Sequence, residues 1–125
     1  MPEESTCFMC LPAQYYCEDD KYDLILVIGL MSYLDDEDIA RMAGNCRKML
    51  AVGGRLIVRN ITLTDNSCSR KVYDYQPNAL LRLLGETGYQ VIRRSREVEL
   101  SFFGDFHLIH EQQIKDTGYT LYVFV

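Results

Sequence analysis

The stretch from Tyr22 to Asn60 constrains the fold of this chain more than any other feature of its sequence. It begins with seven mainly apolar residues, YDLILVI, a pattern typical of a strand that is buried on both faces. A predicted helix follows, and after Gly53-Gly54 a second apolar run predicts another strand over residues 55–61. A strand, a helix and a strand in this order predict a parallel β-α-β unit.

The helix of this unit is marked at both ends. Asp35 or Asp36 is expected to cap its N-terminus, where the helix dipole favours acidic residues. Apolar residues recur at helical spacing and predict its buried stripe: Ile39, Met42, Cys46, Met49 and Leu50. Arg47 and Lys48 lie in the last predicted turn, and Gly53-Gly54 is expected to end the helix.

The rest of the chain continues the α/β pattern, and we expect one domain over residues 1–125. Residues 8–16 predict at most a short edge strand, because Pro12 interrupts them. Residues 62–75 are polar and predict an exposed loop, and residues 77–88 predict a second helix. Residues 89–94 predict a strand that extends towards Phe103, and residues 118–125 alternate like a final strand.

Composition and charge exclude several function classes. The net charge of −5 argues against a protein that binds nucleic-acid backbones. No apolar run approaches the ~20 residues of a membrane-spanning helix, and the acidic N-terminus does not resemble a signal peptide. We therefore expect an intracellular, cytoplasmic protein whose five cysteines are free thiols. Cys7 and Cys10 have CxxC spacing, but without a second pair they predict no metal site.

The order and spacing of these segments resemble the C-terminal half of the class I, Rossmann-like S-adenosylmethionine-dependent methyltransferases. The resemblance rests on YDLILV with its following loop, the DDED helix start, AVGGRLIV, and a tail containing ETGY, QVIRR and LYVFV. It implies parallel strands covered by helices, with a last strand that runs antiparallel. It also implies S-adenosylmethionine as cofactor and methyl transfer to an O or N acceptor, either a small molecule or a protein.

The resemblance assigns roles to individual residues. Ala13 and Gln14 fall where the family binds the adenine of the cofactor, although Pro12 replaces the usual acidic residue there. Ile28 and Gly29 would line the cofactor. Tyr33 would face the transferred methyl group, but packing of the helix on the sheet explains this tyrosine equally well.

Two further candidates concern the methyl acceptor. Asn60 would hold the acceptor by hydrogen bonding, or would only cap the turn after its strand. His107 and His110 are the only histidines, and either could serve as a general base, with His107 preferred. Most isolated histidines have no such role.

The part of the family's domain that holds the cofactor has no counterpart in this sequence. There is no GxGxG loop to allow close backbone approach, and no acidic residue for the ribose hydroxyls. A domain of this kind would leave the strand over residues 22–28 as an apolar sheet edge. Either a dimer partner or another chain covers that edge, or the domain is N-terminally incomplete, which we favour. An alternative function is therefore a non-catalytic, methyltransferase-like subunit, and we expect the isolated chain to be inactive.

Overall fold

The structure is a computed structural model that describes residues 9–63, 69–73, 89–115 and 117–125. These residues form six strands and two α-helices. The strands are β1 (Tyr22–Ile28), β2 (Leu50–Leu63), β3 (Ser69–Tyr73), β4 (Tyr89–Ser95), β5 (Leu108–Gln113) and β6 (Tyr119–Phe124). The helices are α1 (Asp36–Met49) and α2 (Arg96–Ser101). The predicted helix over residues 77–88, and also Cys7 and Cys68, lie outside the described residues.

The strands form one sheet around the long strand β2. On one side β2 pairs in parallel with β1, and on the other it pairs antiparallel with β6, which in turn pairs with β5. Beyond the end of β1, residues Thr62 and Leu63 of β2 pair in parallel with β4, and β3 pairs antiparallel with β4. The predicted α/β fold, its parallel β-α-β unit and its antiparallel last strand are confirmed.

Helix α1 forms as its sequence predicts. The Asp35 carboxylate accepts a hydrogen bond from the backbone N–H of Asp38 at 3.0 Å, which caps the N-terminus. The apolar stripe is buried and consists of Ile39, Met42, Ala43, Cys46 and Met49. The helix nevertheless ends at Met49 rather than at Gly53-Gly54, because Leu50 is extended and already pairs with Tyr22 of β1.

Two other element predictions are wrong, and one strand was not predicted. The strand over residues 89–94 does not run towards Phe103, because β4 ends at Ser95 and α2 follows at once. Strand β3 lies within residues 62–75, where a loop was expected, because backbone pairing with β4 supplies its hydrogen bonds whatever its side chains. Strand β5 escapes prediction because it is an edge strand with a mainly exposed, polar sequence, LIHEQQ.

The two faces of the sheet differ. Side chains of β1, β2 and β6 that share one face pack with α1 and with two phenylalanines after α2, Phe103 and Phe106. On this side Phe103 stacks on Phe124 with ring centroids 4.9 Å apart. On the other face of β1 the side chains are largely exposed, so the prediction that this strand is buried on both faces is wrong for the described structure. No helix among the described residues has the length and apolar character needed to cross a membrane.

Candidate functional site

The predicted site lies at the carboxyl ends of β1 and β2, where open α/β sheets bind their ligands. Ile28 ends β1 with 44% of its surface exposed, and the N–H of Gly29 donates to the carbonyl of Arg59 on β2 at 2.9 Å. Gly29 has φ +65° and nothing within 4 Å of the position that a Cβ would take. The backbone can therefore turn sharply there and leaves room for a ligand to approach it closely.

In the loop after β1, one side chain is packed in the core and a nearby one is exposed. A 3-10 turn over Met31–Tyr33 is closed by a hydrogen bond from the Tyr33 N–H to the Leu30 carbonyl at 3.1 Å. Met31 is buried in the core, whereas 52% of Tyr33 is exposed. Met31 therefore provides the packing that Tyr33 could have provided, and Tyr33 lies largely at the surface.

A groove of about 920 Å³ runs along the edge of β1 that pairs with no other described strand. It touches consecutive residues from Leu24 to Val27, which point alternately to opposite faces, so it follows the strand edge rather than one face. Its far wall belongs to the segment before β1, and its floor includes Cys46 of α1. Burial raises the pKa of the Cys46 thiol to about 11, so this thiol is unreactive at neutral pH.

Ala13 and Gln14 lie in a second 3-10 turn, over Ala13–Tyr15, and Ala13 lines this groove. The turn is fixed to α1, because the Gln14 carbonyl accepts from the Asn45 side chain at 3.1 Å. The Arg41 guanidinium also lies over the Tyr15 ring, 5.0 Å from its centroid. Other residues that line the groove are Leu24 to Val27 of β1 and Leu30, which follows Gly29.

Asn60 lies inside β2 rather than at its end, and only 3% of it is exposed. Its side-chain nitrogen donates to the Glu99 carboxylate at 2.6 Å and lies 3.2 Å from the sulfur of Met31. The amide therefore bonds within the protein interior and links α2 to the loop after β1. It does not cap a turn: its side-chain nitrogen bonds within the interior, whereas its side-chain oxygen is buried without a hydrogen-bond partner among the described residues.

His107 lies at the other end of the sheet. Its backbone pairs with that of Val125, next to Phe124, which is the partner of Leu56 on β2. Gly29, by contrast, bonds to Arg59. At about 3.3 Å per residue of strand, these places are roughly 10 Å apart along β2. The structure therefore does not bring His107 together with Gly29 and Tyr33.

Two buried charged residues that the sequence did not single out as candidates lie next to the site. Arg94 is 2% exposed and forms an ion pair with Asp36 at 2.9 Å. Glu99 is also 2% exposed. The strand period could have indicated Arg94, because Ile92 and Arg94 share one face and Ile92 is buried.

Electrostatics around Glu99 follow from its burial. Loss of hydration raises the pKa of its carboxyl, while the polar side chains of Thr62 and Asn60 and the charge of Arg94 act in the opposite direction. Burial also raises the pKa of Tyr122 to about 12, and the nearby carboxylate of Glu99 adds to this shift. At neutral pH the Tyr122 hydroxyl therefore stays protonated.

Neither a protein-family model nor a curated protein matches this chain. Solved structures do match it. The glycopeptide N-methyltransferase MtfA in complex with S-adenosylmethionine has a TM-score of 0.71 and 9% identity, over 94% of this chain and 63% of that one. An S-adenosylmethionine-dependent methyltransferase from Clostridium acetobutylicum has a TM-score of 0.66 and 12% identity, over 93% of this chain and 63% of that one. A methyltransferase of the DUF858 family from Leishmania major has a TM-score of 0.64 and 14% identity, over 92% and 43%.

At these identities the likeness concerns the fold. The chain has a Rossmann-like methyltransferase fold, as its sequence predicts, and spans less than two thirds of each of these solved chains. Part of each neighbour therefore has no counterpart in this chain.

Proposed function

We propose that this chain forms one wall of an S-adenosylmethionine-dependent methyltransferase and contributes to methyl transfer to an O or N acceptor within a complete domain. The observation that carries the proposal is the match to MtfA bound to S-adenosylmethionine, which extends over 94% of this chain. It includes the unit from β1 to β2, with the open turn at Gly29 where a ligand would lie.

The residues at this end of the sheet fit one side of such a cofactor. Gly29 leaves its surroundings free of side-chain atoms, and Ile28 offers an exposed apolar surface next to it. Ala13 provides a small apolar side chain on the opposite wall of the groove, beside the backbone of Gln14. The fit is partial, because the sequence contains no GxGxG loop for the other side.

When bound, S-adenosylmethionine supplies a methyl group activated by a sulfonium. Transfer is an in-line displacement, so the task of this chain is alignment and exclusion of water. Leu30 and Val27 contribute apolar groove surface, and Tyr33, which is 52% exposed, would contact the acceptor. The geometry gives no role to His107, so a base for a neutral acceptor, where one is needed, would come from other residues.

The test is calorimetric titration of S-adenosylhomocysteine into the protein isolated from its natural source. We expect saturable binding with one site per chain. The variant Gly29→Val should weaken binding at least about tenfold, because a β-branched residue is strained at φ +65° and its side chain fills the open turn. His107→Ala, at the other end of the sheet, is the control and should bind normally. Absence of binding in the unmodified protein would contradict the proposal.

A second candidate function is a non-catalytic subunit that uses the methyltransferase fold for association. The exposed edge of β1 favours it, because Leu24, Leu26 and Ile28 are 53%, 57% and 44% exposed. Sedimentation velocity tests it, and a dimer or a complex with another chain is the expected result. A monodisperse monomer over the micromolar range would count against this function.

A further inference from the structure

Arg94 uses its whole guanidinium on one short segment, the loop between β1 and α1. One terminal nitrogen donates to the Met31 carbonyl at 3.0 Å, and the other donates to the Leu34 carbonyl at 2.8 Å. The Nε donates to the carboxylate of Asp36, in the first turn of α1, at 2.9 Å. These three partners lie 58 to 63 residues away in sequence, so β4 is tied directly to the loop.

The surroundings of Arg94 fix the plane of its guanidinium. The charged group lies over the Phe102 ring, 5.6 Å from the ring centroid, and is shielded from solvent. A planar fork with separate donors can bond two carbonyls and a carboxylate at once, whereas the single ammonium of lysine cannot reproduce that geometry. The site is therefore specific for arginine.

The same loop is held from a second direction. The Met31 side chain lies against the Asn60 amide, which donates to the carboxylate of Glu99 on α2. Met31 is thus fixed by its carbonyl through Arg94 and by its sulfur through Asn60. Both connections therefore hold Met31, which lies two positions before Tyr33.

Stability alone does not account for this arrangement. Burying a charged side chain costs free energy, and buried ion pairs are often no more stabilising than apolar residues of the same size. What Arg94 provides is a single conformation of the loop, because each of its donors meets a different acceptor.

We propose that Arg94 is a positioning residue that holds the β1–α1 loop, and with it Gly29 and Tyr33, in the geometry of the binding site. Its relevance to methyl transfer rests on the proposed function. The effect of Arg94 on the loop conformation does not rest on the proposed function, so the two claims can be tested separately.

The first measurement is hydrogen exchange of the N–H groups of Tyr33 and Leu34, which close the 3-10 turn. In Arg94→Met, which keeps most of the side-chain length, we expect them to exchange at least about tenfold faster. Exchange of the N–H groups shared by β2 and β6 should stay unchanged. Arg94→Lys should give an intermediate rate.

Arg96→Met is the matched control. Arg96 lies two residues further on and pairs with Glu111 at 2.6 Å, but it is exposed and does not touch the loop. In this variant we expect the N–H groups of Tyr33 and Leu34 to exchange at the same rate as in the unmodified protein. Should Arg94→Met fail to fold, Asp36→Asn removes the exposed partner of the pair and should raise loop exchange a few-fold, roughly as losing one charged hydrogen bond would.

The second measurement is S-adenosylhomocysteine affinity of the same variants. The proposal predicts weaker binding in Arg94→Met and unchanged binding in Arg96→Met. Two results in the folded Arg94 variants would overturn the positioning role. One is an unchanged exchange rate of the loop N–H groups, and the other is an increase no larger than that of the N–H groups shared by β2 and β6. If the unmodified protein does not bind, the proposed function fails, while the exchange result still decides the role of Arg94.

Discussion

The two faces of β1 carry equally apolar side chains but have different surroundings. On one face Val27 is 5% exposed and packs, with Ile25, against the core beneath α1. On the other face Leu24 and Leu26 are more than half exposed. A strand that is apolar on both faces is typical of a sheet covered on both sides. The apolar composition of β1 therefore suits a strand that is covered by a further layer or a second neighbouring strand. The described residues contain neither.

The comparison extends across the sheet. Leu26 pairs with Ile57 of β2, which pairs with Val123 of β6, so these three side chains share the open face. Ile57 and Val123 are half-buried, and exposure is greatest at the β1 edge. Contiguous apolar surface of this kind marks sites of association or aggregation.

The largest contrast is expected between two leucines. Leu56 is fully buried and Leu26 is 57% exposed. Leu56→Ala should lower the free energy of unfolding by about 3 kcal/mol, because it removes core contacts and leaves a cavity. Leu26→Ala should change it by less than about 0.5 kcal/mol. Urea unfolding of both variants measures this, and an equal loss for Leu26→Ala would mean that its face is covered in solution.

Gly54 lies in a closely packed part of the structure, whereas Gly44 lies in an open one. A Cβ on Gly54 would lie 2.9 Å from the Ala51 carbonyl and 3.1 Å from that of Asp23, so Gly54→Ala should cost about 1–3 kcal/mol. A Cβ on Gly44 of α1 meets nothing within 4 Å, so Gly44→Ala should stabilise by about 0.5–1 kcal/mol. Thermal unfolding separates them. Similar effects of the two substitutions would contradict the packing described around Gly54.

The pH dependence of stability tests the buried carboxyl. Because burial raises the pKa of Glu99 above its ordinary 4.5, the folded protein binds this proton more tightly than the unfolded chain. Its contribution to stability is therefore full below pH 4.5 and is lost as the pH rises through the raised value. As the pH is lowered from 7 to 5, the free energy of unfolding of the unmodified protein should rise relative to that of Glu99→Gln. Urea unfolding at each pH measures this difference. A difference independent of pH would show that the pKa is not raised.

The smallest effect concerns thiol reactivity. Cys10 and Cys17 are exposed free thiols, whereas Cys46 is buried and its pKa is raised to about 11. Iodoacetamide at pH 8 should modify Cys10 and Cys17 and leave Cys46 unmodified until the protein unfolds. Mass spectrometry of digested protein gives the extent at each site. Early modification of Cys46 would mean that the floor of the groove opens readily.

The sequence predicts what local rules govern and misses what tertiary contacts decide. The limits of β1, the cap at Asp35 and the buried stripe of α1 follow from short-range patterns and are confirmed. Strand β3 depends on its pairing partner, and the burial of Arg94 depends on acceptors about 60 residues away. Contacts over such separations leave little trace in a local pattern.

The elements that carry the candidate site could be predicted, but the contacts of its side chains could not. The strand-loop-helix pattern places Gly29 and Tyr33 together, and the structure has them on one loop. It could not place His107, because the pairing of its backbone with Val125 is set by the order of strands at the far edge of the sheet. The internal bonds of Asn60 depend on Glu99, 39 residues later.

Hydrogen exchange along β1 tests the open edge most directly. The Gly29 N–H points towards β2, so by strand alternation those of Leu24, Leu26 and Ile28 point away from it. We expect these three to exchange rapidly in the chain produced by itself. In the protein isolated from its natural source we expect them to be protected, because we expect a further strand to pair with them there. Equally rapid exchange in both preparations would contradict the view that this edge is an interface.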